Sequence, residues 1–218
     1  MDLLPLVMDL GILTVAVVLH EVGHGVVAYR CGDPTAAEQG RLTLNPIRHI
    51  DPVGTLLVPG FMLASAWMMG VHPLVFGWAK PVPVDPRRMR RPRRDMALVA
   101  LAGPAVNFAL ATLAVFGLRA GYGMEGFAGS LVRVTAGLAI GTNVALAVLN
   151  LLPILPLDGG RVLFGLLPMP AAQQFARLER YGMLILVALL FSGVLNQVIE
   201  PLTRGLVNVL LSGRGGGG

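Results

Sequence analysis

The sequence predicts an all-α polytopic membrane protein, and three observations carry that prediction. Of its 218 residues, 55% are hydrophobic and only 13% are charged, and mean hydropathy is +0.71; a soluble domain carries roughly 25% charged residues. Four apolar runs reach the about 20 residues that a helix needs to cross the hydrocarbon core. Six arginines crowd Arg87 to Arg94 ("RRMRRPRR") beside one of these runs, as in segments held on the cytoplasmic side of a membrane. The formal net charge of +5 is thus concentrated at one place. No aromatic residues interleave with it as in a nucleic-acid groove, so no nucleic-acid partner is expected. The length suits one domain, taken as 1–211, with a glycine-rich and disordered tail at 212–218.

The first run, Leu3 to Tyr29, begins after Asp2 rather than after a basic segment. It continues without a small-residue cleavage site, so it reads as a retained span and not a signal peptide. Cys31 is the sole cysteine; it allows no intramolecular disulfide and receives no role. Val53 to Val71 is apolar but interrupted by Gly54, Pro59, Gly60, Ser65 and Gly70, and is either a re-entrant segment or a fifth span. The stretch after it, "HPLVFGWAKPVPVDP", holds three prolines between Pro81 and Pro86 and is expected to be extended rather than helical. Met96–Leu118, Leu131–Leu152 and Tyr181–Ile199 are the second, third and fourth spans. Pro153 and Pro156 end the third, and Glu200-Pro201 bounds the fourth.

Arginines fix a topology. Arg30, Arg41 and Arg48 follow the first span, Arg87 to Arg94 precede the second, and Arg161, Arg177 and Arg180 follow the third; Ala120 to Ser130 is nearly free of positive charge. All three arginine-bearing segments fall on the cytoplasmic side only if Val53–Asp85 enters the membrane and returns. Irregular chain at that depth must line a cavity or be buried in protein.

Near the inner end of the first span stands "HEVGH". His20 and His24, four apart on a helix, share a face and can hold one zinc ion, with Glu21 as general base on water. Each residue has a plainer reading, a carbonyl-bonded histidine or a glutamate paired with Arg30. Three plain readings within five residues are less economical than one metal site, since ionisable groups in membranes persist where they are paired or functional. A third ligand is needed. His49 reads as an ordinary loop residue and His72 as an interfacial one. Asp158 in "NLLPILPLDGG" approaches the same membrane face; otherwise it would cap the short helix Gly159–Leu167.

Together these motifs resemble the site-2 protease family of intramembrane zinc metalloproteases. Asn150, Pro153, Pro156, Asp158 and Gly159 match its second motif at the right spacing, "LAGPAVN" (Leu101–Asn107) resembles the segment between the two motifs, and "FGWAKPVPVDP" resembles the compact bacterial and archaeal branch. No insertion resembling a PDZ domain is present. The resemblance implies one zinc ion held by His20, His24 and Asp158, Glu21 as base, and Asn150 near the metal as a catalytic residue. It implies a transmembrane protein substrate and a bacterial or archaeal plasma membrane, with the site toward the cytoplasm. Asn107 is a weaker candidate for substrate contact. Lys80, Val82 and Val84 offer alternate positions for pairing with an unwound substrate. The competing class is a zinc- or proton-conducting membrane transporter; transporters often carry inverted repeats, and no repeat is found.

Overall fold

The computed structural model of the chain describes residues 3–69 and 77–213. His72 and the end of the tail, 214–218, lie outside the described residues. Among the described residues the regular structure is all helical, with no strand. In chain order the helices are α1 (Leu3–Arg30), α2 (Thr35–Glu38), α3 (Val58–Met69), α4 (Pro92–Tyr122), α5 (Gly126–Asn150), α6 (Asp158–Leu166), α7 (Met169–Ala176), α8 (Glu179–Phe191) and α9 (Val194–Ser212). Of these, α1, α4 and α5 are long and apolar enough to cross a membrane. They turn Val7, Leu10 and Val15, Leu113 and Phe116, and Val134 outward. Such continuous apolar surface is an aggregation hazard in water and a natural surface in lipid.

α4 is the central helix, packing on α1, α5 and α6. Ala111 and Val115 on α4 meet Ile140, Val144 and Val148 on α5, with the four-residue spacing that interlocking ridges require. At the opposite end Ala28 of α1, Met89 and Val99 form a second cluster, against which Cys31 and Val84 pack. The Arg90 N–H donates to the Cys31 carbonyl (3.1 Å). The Arg93 guanidinium donates to the Phe164 carbonyl (3.2 Å). The end of α1, the start of α4 and α6 therefore share one end of the bundle, where Arg30 ends α1 and Arg87 to Arg94 lead into and begin α4.

The ambiguous segment begins as a π-helix, Pro52–Leu57, and continues into α3. The Asp51 carboxylate accepts from the N–H groups of Val53 (3.0 Å) and Gly54 (2.7 Å) and so caps its start. The apolar helix Pro52–Ser65 is shorter than a span. The chain then returns to where it left: Trp78 N–H donates to the Gly54 carbonyl (3.1 Å), and Thr55 Oγ1 donates to the Trp78 carbonyl (2.8 Å). The two ends of the segment therefore lie side by side. Gly77–Asp85 is irregular chain, as its prolines require.

The fourth span departs from expectation. Tyr181–Ile199 is not one helix, because α8 and α9 meet at a 79° bend. Gly193 sits at the break with φ of 74°, a conformation open to glycine and costly for other residues. Nor does Pro201 end the run; it lies inside α9, which continues to Ser212. Among the described residues, three helices are thus long and apolar enough to cross a membrane, or four spans if the bent pair counts as one.

Candidate metal centre

His20 and His24 project from α1 toward α4, one turn apart. The His24 Nδ1–H donates to the Val99 carbonyl (2.7 Å). A carbonyl only accepts, so Nδ1 carries the hydrogen and Nε2 presents its lone pair. His20 Nδ1 lies 2.6 Å from Asn107 Oδ1 and donates to it. The two Nε2 atoms are 3.0 Å apart. Asp158 Oδ2 lies 3.1 Å from His20 Nε2 and 3.2 Å from His24 Nε2. The three residues are only 7%, 9% and 7% exposed for His20, His24 and Asp158.

This donor set fits a cation. Two imidazole lone pairs and a carboxylate oxygen facing one point repel each other unless a positive charge lies between them. The buried Asp158 Oδ2 has no hydrogen-bond partner among the described residues, a costly condition for a carboxylate. Its donor atom and those of both histidines lie within 4.8 Å of one another. Two nitrogens and one oxygen from the protein are a familiar zinc set that leaves one position for chemistry. Space for the rings comes from α4. A methyl group on Gly103 would stand 2.5 Å from His20 Cε1 and 2.6 Å from His24 Cε1, so the imidazoles occupy volume that any larger residue would fill.

Asp158 owes its place to the sequence around it. The turn after α5 folds so tightly that a Cβ on Gly159 would stand 2.5 Å from the Leu152 carbonyl oxygen. One on Gly160 would stand 2.6 Å from the Leu155 nitrogen. Two glycines let α6 begin directly against this turn. The capping alternative fails here: Leu157 is the N-cap residue, no side-chain cap is made, and Asp158 is the first residue of α6. Its carboxylate is turned to the histidines.

The Glu21 carboxylate accepts a hydrogen bond from the Val82 N–H (2.7 Å). The proline-rich stretch therefore touches the expected base directly. Lys80 N–H donates to the His49 carbonyl (2.9 Å), and Arg41 donates to the Lys80 and Pro81 carbonyls (2.9 and 3.3 Å). Since Lys80 and Val82 use their N–H groups inside the chain, neither donates to a substrate strand in this conformation, contrary to the pairing expected for them. Val84 packs in the cluster around Ala28. Asn107 is 0% exposed, with its amide committed to His20, Asn143 and Ala16, so it offers nothing to a substrate. The Asn150 amide donates to the Leu146 carbonyl on its own helix (3.0 Å). His49 is buried and bonds the Thr43 carbonyl, in keeping with a loop role. Two residues without an assigned role, Gly103 and Asn143, border the site. An amide in the apolar run Leu131–Leu152 was the available signal for Asn143, because a polar group there requires a partner.

A buried His-His-Asp cluster shared by α1 and α6, with a glutamate on α1 beside it, is an arrangement found in the class of zinc metallopeptidases. The chain belongs to peptidase family M50, the site-2 protease family, whose model matches residues 126–193. It is 38% identical to YwhC of Bacillus subtilis (strain 168), named as a zinc metalloprotease, over 87% of this chain and 83% of that protein. It is 33% identical to Rip2 of Mycolicibacterium smegmatis and 34% identical to Rip2 of Mycobacterium tuberculosis (strain H37Rv), both named likewise, over 82% and 84% of this chain. It spans 64% and 66% of those two proteins. No solved structure matches the chain.

Proposed function

We propose that this metallopeptidase is an intramembrane endopeptidase that hydrolyses peptide bonds within or next to transmembrane segments of other membrane proteins. The observation that supports this most is the depth of the donor set. His24 and His20 lie six and ten residues before Arg30 on a membrane helix, roughly 9 and 15 Å below the arginine-marked end. In this reading His20, His24 and Asp158 hold one zinc ion per chain. Bound there, zinc supplies Lewis-acid polarisation of the scissile carbonyl and makes water acidic enough to deprotonate near neutral pH.

Glu21 accepts the proton from the attacking water and delivers it to the leaving amide nitrogen. Val82 N–H holds one carboxylate oxygen, Oε2, which leaves Oε1 to do this work. The proline-rich stretch then orients the base rather than pairing with substrate. Asn150, at the end of α5, takes the substrate-positioning role. A helical substrate hides its carbonyls in i→i−4 bonds and must unwind first. Water enters from the arginine-rich end, which faces the cytoplasm of a bacterial or archaeal cell; the bacterial relatives and the clustering of arginines at one end support that orientation.

The test uses the purified protein in liposomes with a single-span substrate. Glu21→Gln is expected to keep about one zinc per chain and to lose roughly 10²–10⁴-fold in cleavage. Cleavage at the wild-type rate by that variant refutes the assignment of the base.

A further inference from the structure

Two asparagine amides are buried between the membrane helices, and the reaction as described uses neither. Asn107 on α4 is 0% exposed and Asn143 on α5 is 4% exposed. An unpaired amide in such a place costs several kcal/mol, so the partners of each are informative. Asn143 Nδ2 donates to the Ala139 carbonyl one turn back (2.9 Å). Since that carbonyl only accepts, the nitrogen end of Asn143 is fixed there, and Oδ1 must face Asn107. Asn107 Nδ2 donates to this oxygen (3.0 Å) and, at the long limit, to the Ala16 carbonyl (3.4 Å). With its nitrogen so committed, Asn107 presents Oδ1 to His20 at 2.6 Å.

We infer that Asn143 is a positioning residue for the metal centre, acting through Asn107 to set the tautomer of His20. An oxygen at that point requires hydrogen on His20 Nδ1, which leaves the Nε2 lone pair facing Asp158 and His24. Were the Asn107 amide reversed, its NH₂ would face His20 Nδ1 and its oxygen would face Asn143 Oδ1. His20 would then place its hydrogen on Nε2, where a metal ligand needs a lone pair. The contrast with His24 explains why a relay exists on one side only. His24 is held by a main-chain carbonyl, which cannot reverse. His20 is held by a side-chain amide, which can, and Asn143 on a third helix supplies the shorter of the two contacts that select its orientation, the Ala16 carbonyl lying at 3.4 Å.

The inference rests on the zinc-peptidase reading. Its test is zinc affinity, measured by competition with a chromophoric chelator for the detergent-solubilised full chain. Asn143→Leu keeps the branching of the side chain and removes the acceptor, and is expected to weaken zinc binding about tenfold. In an Asn107→Ala background the same change is expected to have no further effect, because the relay is already cut. In the metal-free protein, ¹⁵N shifts of His20 are expected to report Nδ1–H in the wild type and a mixture of tautomers in Asn143→Leu. Wild-type affinity in Asn143→Leu overturns the inference. So does a loss that multiplies with that of Asn107→Ala, which would mark an independent packing defect. If the wild type itself binds no zinc, the peptidase reading falls and takes the relay with it.

Discussion

Replacing Gly103 with alanine separates the metal site from the helix that borders it. The added methyl would stand 2.5 Å from His20 Cε1 and 2.6 Å from His24 Cε1, where ordinary contact begins at 3.4 Å. Each ring must therefore move by about 1 Å, whereas ligand distances tolerate only about 0.2 Å. Without metal the rings can swing aside at the cost of their Nδ1 hydrogen bonds. With metal they cannot, and the strain of overpacking, about 1–3 kcal/mol, falls on the bound state. At about 1.4 kcal/mol per decade, zinc affinity should drop roughly ten- to hundredfold. The backbone pulls the other way, because alanine in a helix interior is favoured over glycine by about 0.8–1 kcal/mol. The expected result is a metal-free protein whose thermal unfolding, followed by circular dichroism, shifts little, together with a sharply raised Kd for zinc and loss of cleavage. Wild-type zinc affinity in Gly103→Ala would falsify the claim that this glycine makes room for the ligands.

Three further outcomes follow from the geometry. Val82→Pro removes the N–H that holds Glu21; losing a hydrogen bond to a charged group costs about 1.5–3 kcal/mol, so kcat should fall roughly ten- to hundredfold with zinc content unchanged. Dialysis against a strong chelator should abolish cleavage, and stoichiometric zinc should restore it; activity that survives verified metal removal refutes the zinc chemistry. Asp33 controls acid stability at the loop that anchors the proline-rich stretch. Burial alone would raise its carboxyl, but the Thr35 hydroxyl, the N–H groups of Thr35 and Asp85 and the charge of Arg88 outweigh burial and hold it below its ordinary range. A depressed carboxyl contributes stability that is present above its unfolded value near about 3.9 and is lost as pH falls through the folded one. Asp33→Asn should unfold at lower temperature than wild type at pH 7, with the gap closing toward pH 3.

The cluster of His20, His24 and Asp158 was legible in the sequence because such chemistry is expensive where these residues stand. Histidine, glutamate and aspartate in apolar runs are conspicuous, and the spacing of His20, Glu21 and His24 is set by one helix turn. That the two ends of the Val53–Asp85 segment meet was legible from arginine placement, since only a returning chain put all three charged segments on one side. The bend at Gly193 was not. Tyr181–Ile199 satisfies the length and hydropathy of a span, and one glycine inside an apolar helix usually passes without a break. Pro201 misled in the same way, since membrane helices accommodate proline. The contact of Val82 with Glu21 joins residues 61 apart through an irregular stretch, and no periodicity encodes it. Alternation suggested that Lys80 and Val82 face a substrate, while the folded chain turns their donors inward. Gly103 lacked a side chain to draw attention; its role is visible only in the atoms a methyl would displace.

The ligands are divided between the two ends of the fold's assembly. His20 and His24 belong to the first helix, and Asp158 lies 134 residues after His24, beyond α5. During synthesis α1, α3, α4 and α5 emerge before Asp158 exists. A nascent chain therefore carries the two histidines and the glutamate before it carries the carboxylate that faces them in the folded protein. The three donor atoms meet late, as a property of the assembled chain, once α6 packs on α4 through the turn that Gly159 and Gly160 allow.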